Sequence, residues 1–258
     1  MLQTLMVTFR EGIEAFLIIA ITSLYLRNTG QASLLAAVRA GTGTALAGSL
    51  ALGIVLARIG AMTPFCEGML ALLAMALVLT CTVHMMRHGK HMASHIRDHI
   101  NVSVAKTGGT AFAGVFLFTF FMIGREGVEA ATLLAALSGQ SAMREFFAGG
   151  LIGLVLAGVM ALVWVRYGRQ VNLSRFFQVT GVFMVLFSVQ LAIYAFHEFT
   201  EANAIPGVDN VYWHLVTEPY GPEGQYGAWL SYSLVLVPLV FLLVTWLRDR
   251  NGTTRLTA

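Results

Sequence analysis

Apolar residues run through this chain in long blocks separated by short polar stretches. Seven blocks approach the thickness of a bilayer: 4–26, 40–58, 65–86, 109–137, 146–165, 176–197 and 228–247. A helix rises about 1.5 Å per residue, so roughly 20 residues cross about 30 Å of hydrocarbon. The pattern predicts an all-α integral membrane protein with seven transmembrane helices. The first block is predicted to remain as a span and not to act as a signal peptide. No basic residue precedes it, and Arg10, Glu11 and Glu14 interrupt what would have to be a purely apolar region.

Those interruptions recur. Arg10-Glu11-Gly12-Ile13-Glu14 in the first block returns as Arg125-Glu126-Gly127-Val128-Glu129 in the fourth. Charge at the bilayer centre costs about 2.5–3.5 kcal/mol per residue even on the gentler insertion scales, and such residues mark functional sites by default. Weaker echoes accompany the motif: Gly43 with Gly153, Ala47-Gly48 with Ala157-Gly158, and His84 with His197. Together they predict that spans one to three are repeated by spans four to six. Three is odd, so the second copy enters from the opposite side, giving a 3+3 inverted repeat plus one C-terminal helix. The chain is then a single membrane domain. Repeat one covers about 1–106, repeat two about 107–200, and an outer loop with the seventh helix about 201–258. In many secondary transporters such repeats place the ion site near the midplane, between the copies. Gly149 with Gly153, and Gly41 with Ala45, form small-xxx-small pairs suited to close helix packing.

Composition sharpens this picture. Of 258 residues, 57% are hydrophobic and 11% charged, against about 25% charged in ordinary soluble domains. With the N-terminus outside, twelve Lys and Arg fall on the inner side and only Arg58 and Arg144 on the outer side, a positive-inside distribution. The segment 198–227 carries Glu198, Glu201, Asp209, Glu218 and Glu223 and belongs outside. The basic excess is therefore a topology marker and gives no reason to expect nucleic acid. Cys66 and Cys81 lie in one apolar span and suggest neither a disulfide framework nor a zinc site.

On a helix Glu11 and Glu14 share a face, and Arg10 neighbours Glu14; Arg125, Glu126 and Glu129 repeat that geometry. If spans one and four pack together, four carboxylates and two guanidiniums converge. Their charge deficit must be met by protons or by a bound cation. Carboxylates suit hard cations, so the residues point to a cation pathway and leave the ion open, manganese included. Closed structural ion pairs explain the clusters less well, because two carboxylates would stay unpaired and buried pairs stabilise poorly against apolar packing. Two further groups are candidates. Glu67, His197, Glu198 and Glu201 form a candidate outer entrance. His84, His88, His91, His95 and His99 line one side of a segment predicted to be cytoplasmic. They are a candidate exit, or else a basic amphipathic segment at the inner surface. Tyr212, Trp213, Tyr220, Tyr226 and Trp229 fit an interfacial aromatic belt.

In carrying both motifs, the chain resembles the oxidase-dependent iron permease family, the EfeU-type bacterial and fungal high-affinity permeases. That family carries two Arg-Glu-Gly-x-Glu motifs in its first and fourth membrane helices. Phe65-Cys66-Glu67-Gly68, Phe176-Phe177 and His197-Glu198 add to the likeness. The motifs here hold Ile13 and Val128 where leucine is common. The resemblance implies iron uptake across a bacterial inner membrane, with Glu11, Glu14, Glu126 and Glu129 as ion ligands or relay points and Arg10 and Arg125 balancing charge. Iron is then cargo and not a permanently bound cofactor. Any oxidation of iron falls to a separate periplasmic iron-binding or iron-oxidising partner. Two other classes fit less well. An intramembrane enzyme lacks support, since there is no Gly-x-Ser-x-Gly, His-Glu-x-x-His or phosphate-binding loop. A seven-helix receptor does not explain a duplicated charged cluster.

Overall fold

The computed structural model describes residues 1–88, 100, 109–139, 142–167, 173–220, 226, 229 and 233, with side chains at all of these except 85–88, 163–167 and 173–179. Among the described residues the elements are α1 (Leu2–Asn28), α2 (Leu35–Gly60), α3 (Pro64–His88), α4 (Gly109–Ser138), α5 (Met143–Tyr167), α6 (Leu173–Glu201) and a short α7 (Asn210–Thr217), with two 3-10 turns and no strand. Five helices, α2 to α6, are long and apolar enough to cross a membrane. α1 has comparable length, 27 residues, but holds Arg10, Glu11 and Glu14 in its interior. The predicted spans one to six each fall within a helix that runs a few residues further. The seventh, 228–247, lies almost wholly outside the described residues, as do His91, His95 and His99. The chain is therefore a helical protein with multi-pass membrane character.

Its polarity is inside-out relative to a soluble fold. Leu46, Leu50, Ile54, Leu151, Val155 and Leu162 on α2 and α5 are exposed, whereas Arg10, Glu11, Glu14, Glu126 and Glu129 are buried. Lipid replaces water around such a surface, so apolar side chains face out at no cost. Hydroxyl groups within the helices bond back to their own backbone, as Thr119 does to the Val115 carbonyl and Thr132 to that of Val128, each at 2.8 Å. Such bonds satisfy a donor where no water reaches.

Packing follows a crossed pattern. The most extensive pairings are α2 with α4, α1 with α5, and α3 with α6, and α1 also packs on α4. Small residues set the two crossed pairs. A Cβ added at Gly12 would lie 2.9 Å from the Ala157 Cβ, and one at Gly127 would strike the Ser49 hydroxyl and lie 2.8 Å from the Ser49 Cβ. One at Gly41 would lie 2.8 Å from the Phe116 carbonyl oxygen, and one at Gly149 would collide with the Met1 carbonyl oxygen. Each motif glycine thus admits a helix from the other half of the chain. The contacts pair Gly41 with Gly149 and Ser49 with Ala157, a two-residue shift from the predicted alignment of Gly43 with Gly153 and Gly48 with Gly158. Gly43 and Gly48 face open space. The pairs Gly41–Ala45 and Gly149–Gly153 are the ones that lie at the interface side.

Candidate functional site

The two motifs meet where α1 crosses α4. Arg10 Nη1 donates to Glu11 Oε1 at 2.5 Å, and its Nη2 lies 3.2 Å from Glu14 Oε1. On α4, Arg125 Nε donates to Glu129 Oε1 at 3.1 Å. The two clusters do not close separately. One carboxylate oxygen from each of Glu11, Glu126 and Glu129 lies within 4.8 Å of the other two, and all three residues are buried. Glu14, the fourth predicted ligand, is fully enclosed beside this group. Its Oε1 lies 3.2 Å from Arg10 Nη2, so Arg10 ties it to the first motif.

Several oxygens are left without a hydrogen-bond partner in the protein: Glu11 Oε2, both oxygens of Glu14, and Glu126 Oε2. Buried charge without compensation is strongly unfavourable. A cation between the three glutamates, or protons on them, supplies what the protein does not. The donor set is oxygen only, with Cys81 Sγ at 3.9 Å from Arg125 Nη2 and so turned toward the guanidinium. That set suits hard cations.

The predicted entrance residues divide into two groups. Glu67, in the first turn of α3, accepts a hydrogen bond from the Tyr194 hydroxyl of α6. Glu198, one turn after Tyr194, is buried near it. Phe65 and Phe199 pack beside them with ring centroids 5.6 Å apart, and Gly68 lets α3 close on Phe199 and the Ala195 carbonyl. Thus the segment 65–68 and the end of α6 form one joint. His197 and Glu201 turn the other way, toward His214 of α7. Sequence reasoning missed His214. The available signal was simple: it and His197 are the only histidines beyond the 84–99 segment. Asp209, which the sequence places only in the acidic segment 198–227, caps α7 with its carboxylate, accepting from the Tyr212 amide at 3.1 Å. Of the candidate exit histidines, His84 is exposed near the end of α3 and His88 closes that helix.

The sequence model of the iron permease FTR1 family matches residues 1–218. A protein of Yersinia pestis named ferrous iron permease EfeU is 28% identical over 203 residues, covering 77% of this chain and 72% of its own. One of Escherichia coli O157:H7 with the same name is 26% identical over 203 residues, covering 77% and 73%. No solved structure matches the chain.

Proposed function

The chain belongs to the iron permease FTR1 family, and on that premise we propose that it carries iron across a membrane through the glutamate site between α1 and α4. The observation that carries this reading is the convergence of Glu11, Glu126 and Glu129 from two separate helices within 4.8 Å, buried and short of compensating charge. Iron binds where those oxygens meet. Glu14, enclosed beside them, serves as a fourth ligand or a relay point. Arg10 and Arg125 hold the carboxylates in place. Members of this family are permeases and not enzymes, so no covalent step is required of these residues.

The two halves work as an inverted repeat, α1–α3 against α4–α6, with a seventh helix beyond. The crossed pairing of α1 on α5 and of α4 on α2 supports this, as does the matched fit of Gly12 on Ala157 and Gly127 on Ser49. Rocking of the halves exposes the site to each side in turn. The excess of Lys and Arg on one side supports an N-terminus facing outward from a bacterial inner membrane. Glu67 and Glu198 then draw iron to the outer mouth, where a periplasmic partner delivers it. The relatives' name supports ferrous iron as the ion carried.

The test is uptake by purified protein in liposomes, comparing ferrous with ferric iron under a controlled pH gradient. The wild type accumulates iron. Glu14→Ala and Glu129→Ala each abolish accumulation while the protein still inserts. A wild-type rate in either correctly inserted variant removes that glutamate from the mechanism.

A further inference from the structure

His197, Glu201 and His214 form a second metal-ligating group, apart from the buried glutamates. His197 and Glu201 are one helical turn apart on α6 and share a face. His214 comes from α7, which the Asp209 cap starts and the Phe196–Trp213 contact, with ring centroids 5.9 Å apart, holds against α6. One ligand atom from each of the three lies within 4.8 Å of the others. The two imidazoles stack with centroids 4.4 Å apart and planes 20° from parallel.

Hydrogen bonds around the two rings favour one nitrogen on each. The Thr217 hydroxyl donates its proton to the Trp213 carbonyl at 2.8 Å. That leaves its oxygen able to accept from His197 Nδ1, also at 2.8 Å. In the tautomer that makes this bond, the neutral His197 ring carries its proton on Nδ1 and leaves the Nε2 lone pair bare. An imidazole whose far N–H is held by a fixed acceptor is oriented as metal-binding histidines are. On the other ring, His214 Nδ1 is buried and has no hydrogen-bond partner in the protein.

We propose that His197, Glu201 and His214 bind a divalent transition metal at the α6–α7 corner, and that in this permease the ion is ferrous iron awaiting passage. Two imidazoles and one carboxylate suit iron(II) and leave further positions open, whereas the all-oxygen cluster inside suits harder ions. The corner site therefore sorts by oxidation state before the ion reaches the glutamates. Metal binding here stands on the local geometry alone; only the role in loading the pathway rests on the transport reading. Thr217 is a positioning residue, acting through His197.

The experiment uses the full chain in lipid nanodiscs, titrated anaerobically with cobalt(II), whose visible absorption reports nitrogen and oxygen ligands. Wild type is expected to give a saturable band. His214→Ala and His214→Gln remove it, the second variant guarding against loss of fold in the first. Thr217→Val keeps all three ligands and weakens cobalt binding about 10–100-fold, as loss of an outer hydrogen bond to a metal-bound histidine does. Glu126→Gln leaves the band in place. In liposomes, His214→Gln raises the ferrous iron concentration needed for half-maximal uptake and leaves the maximal rate unchanged. A wild-type cobalt band in both His214 variants overturns the site, as does a band lost only with Glu126→Gln. A normal band in a protein that moves no iron overturns the transport reading and leaves the site standing.

Discussion

The two motifs share their chemistry and differ in setting. Arg10 is buried with only 3% of its side chain exposed, and it reaches both glutamates of its own motif. Arg125 keeps 38% of its side chain exposed and, of its own motif's glutamates, pairs directly with Glu129. Glu126 lies with Glu11 and Glu129, so the triad of converging oxygens takes one glutamate from the first motif and two from the second. A repeated pentapeptide thus specifies a set of groups and leaves their pairing to the neighbours. α5 covers the first motif at Gly12, and α2 meets the second at Gly127. On the proposed transport reading, such unlike halves are what one conformation of an alternating carrier must contain.

The largest effect that can break this comparison is removal of each arginine. Arg10→Ala strands Glu11 and Glu14 in an enclosed site, and breaking a buried pair in this way costs about 3–5 kcal/mol. We expect little folded Arg10→Ala protein by size-exclusion and thermal-shift measurement in detergent, with recovery when Glu14→Gln is added. Arg125→Ala removes a half-exposed partner. We expect normal folding and reduced iron uptake, because Glu129 loses the group that orients it. Equal loss of folded protein in the two variants would show that the settings differ less than their geometry does.

Much of this was legible in the sequence, for identifiable reasons. Helices α1 to α6 follow from apolar runs whose length matches a bilayer, and Glu11, Glu126 and Glu129 announce themselves because charge in such a run is costly. Packing register was not legible. Gly41 and Ser49 touch α4 while Gly43 and Gly48, two and one positions away, face open space. In a chain with glycine at so many helix positions, no local pattern says which one a neighbour meets. Lipid supplies no apolar contrast to mark the face. His214 escaped for another reason. It lies on a different helix from His197, and only the fold of the intervening loop, tied by Asn210 to the Ile205 and Val208 carbonyls at 3.1 and 3.2 Å, brings them together. Glu67 was legible as an acidic residue at the start of α3; its bond to Tyr194 was not, since Tyr194 is one of several aromatics in its apolar run and nothing nearby sets it apart.

A smaller effect sharpens the comparison at the glycines. Gly12→Ala drives a methyl against Ala157 Cβ at 2.9 Å, and Gly127→Ala drives one against Ser49. Overpacking of this kind costs about 1–3 kcal/mol. Both variants are expected to melt lower in detergent. Ala157→Gly should rescue only the first and Ser49→Gly only the second. Cross-rescue, or no rescue, would mean that the motif glycines serve the ion and not the helix contact.

The smallest expected effect concerns Cys81, which stands where the first motif has no counterpart. Its sulfur is 3.9 Å from Arg125 Nη2 and accepts a hydrogen bond weakly. If Arg125 is balanced by Glu129 alone, Cys81→Ala costs less than about 1 kcal/mol and iron uptake stays near wild type. The alternative is that the thiol is a true partner of the guanidinium. Cys81→Ala would then lower uptake as far as Arg125→Ala does, and the double variant would be no worse than either single one. That outcome would give Arg125 two working partners, as Arg10 has, one of them a hydrogen-bond acceptor from α3 instead of its own helix, and the asymmetry between the two arginines would lose its meaning.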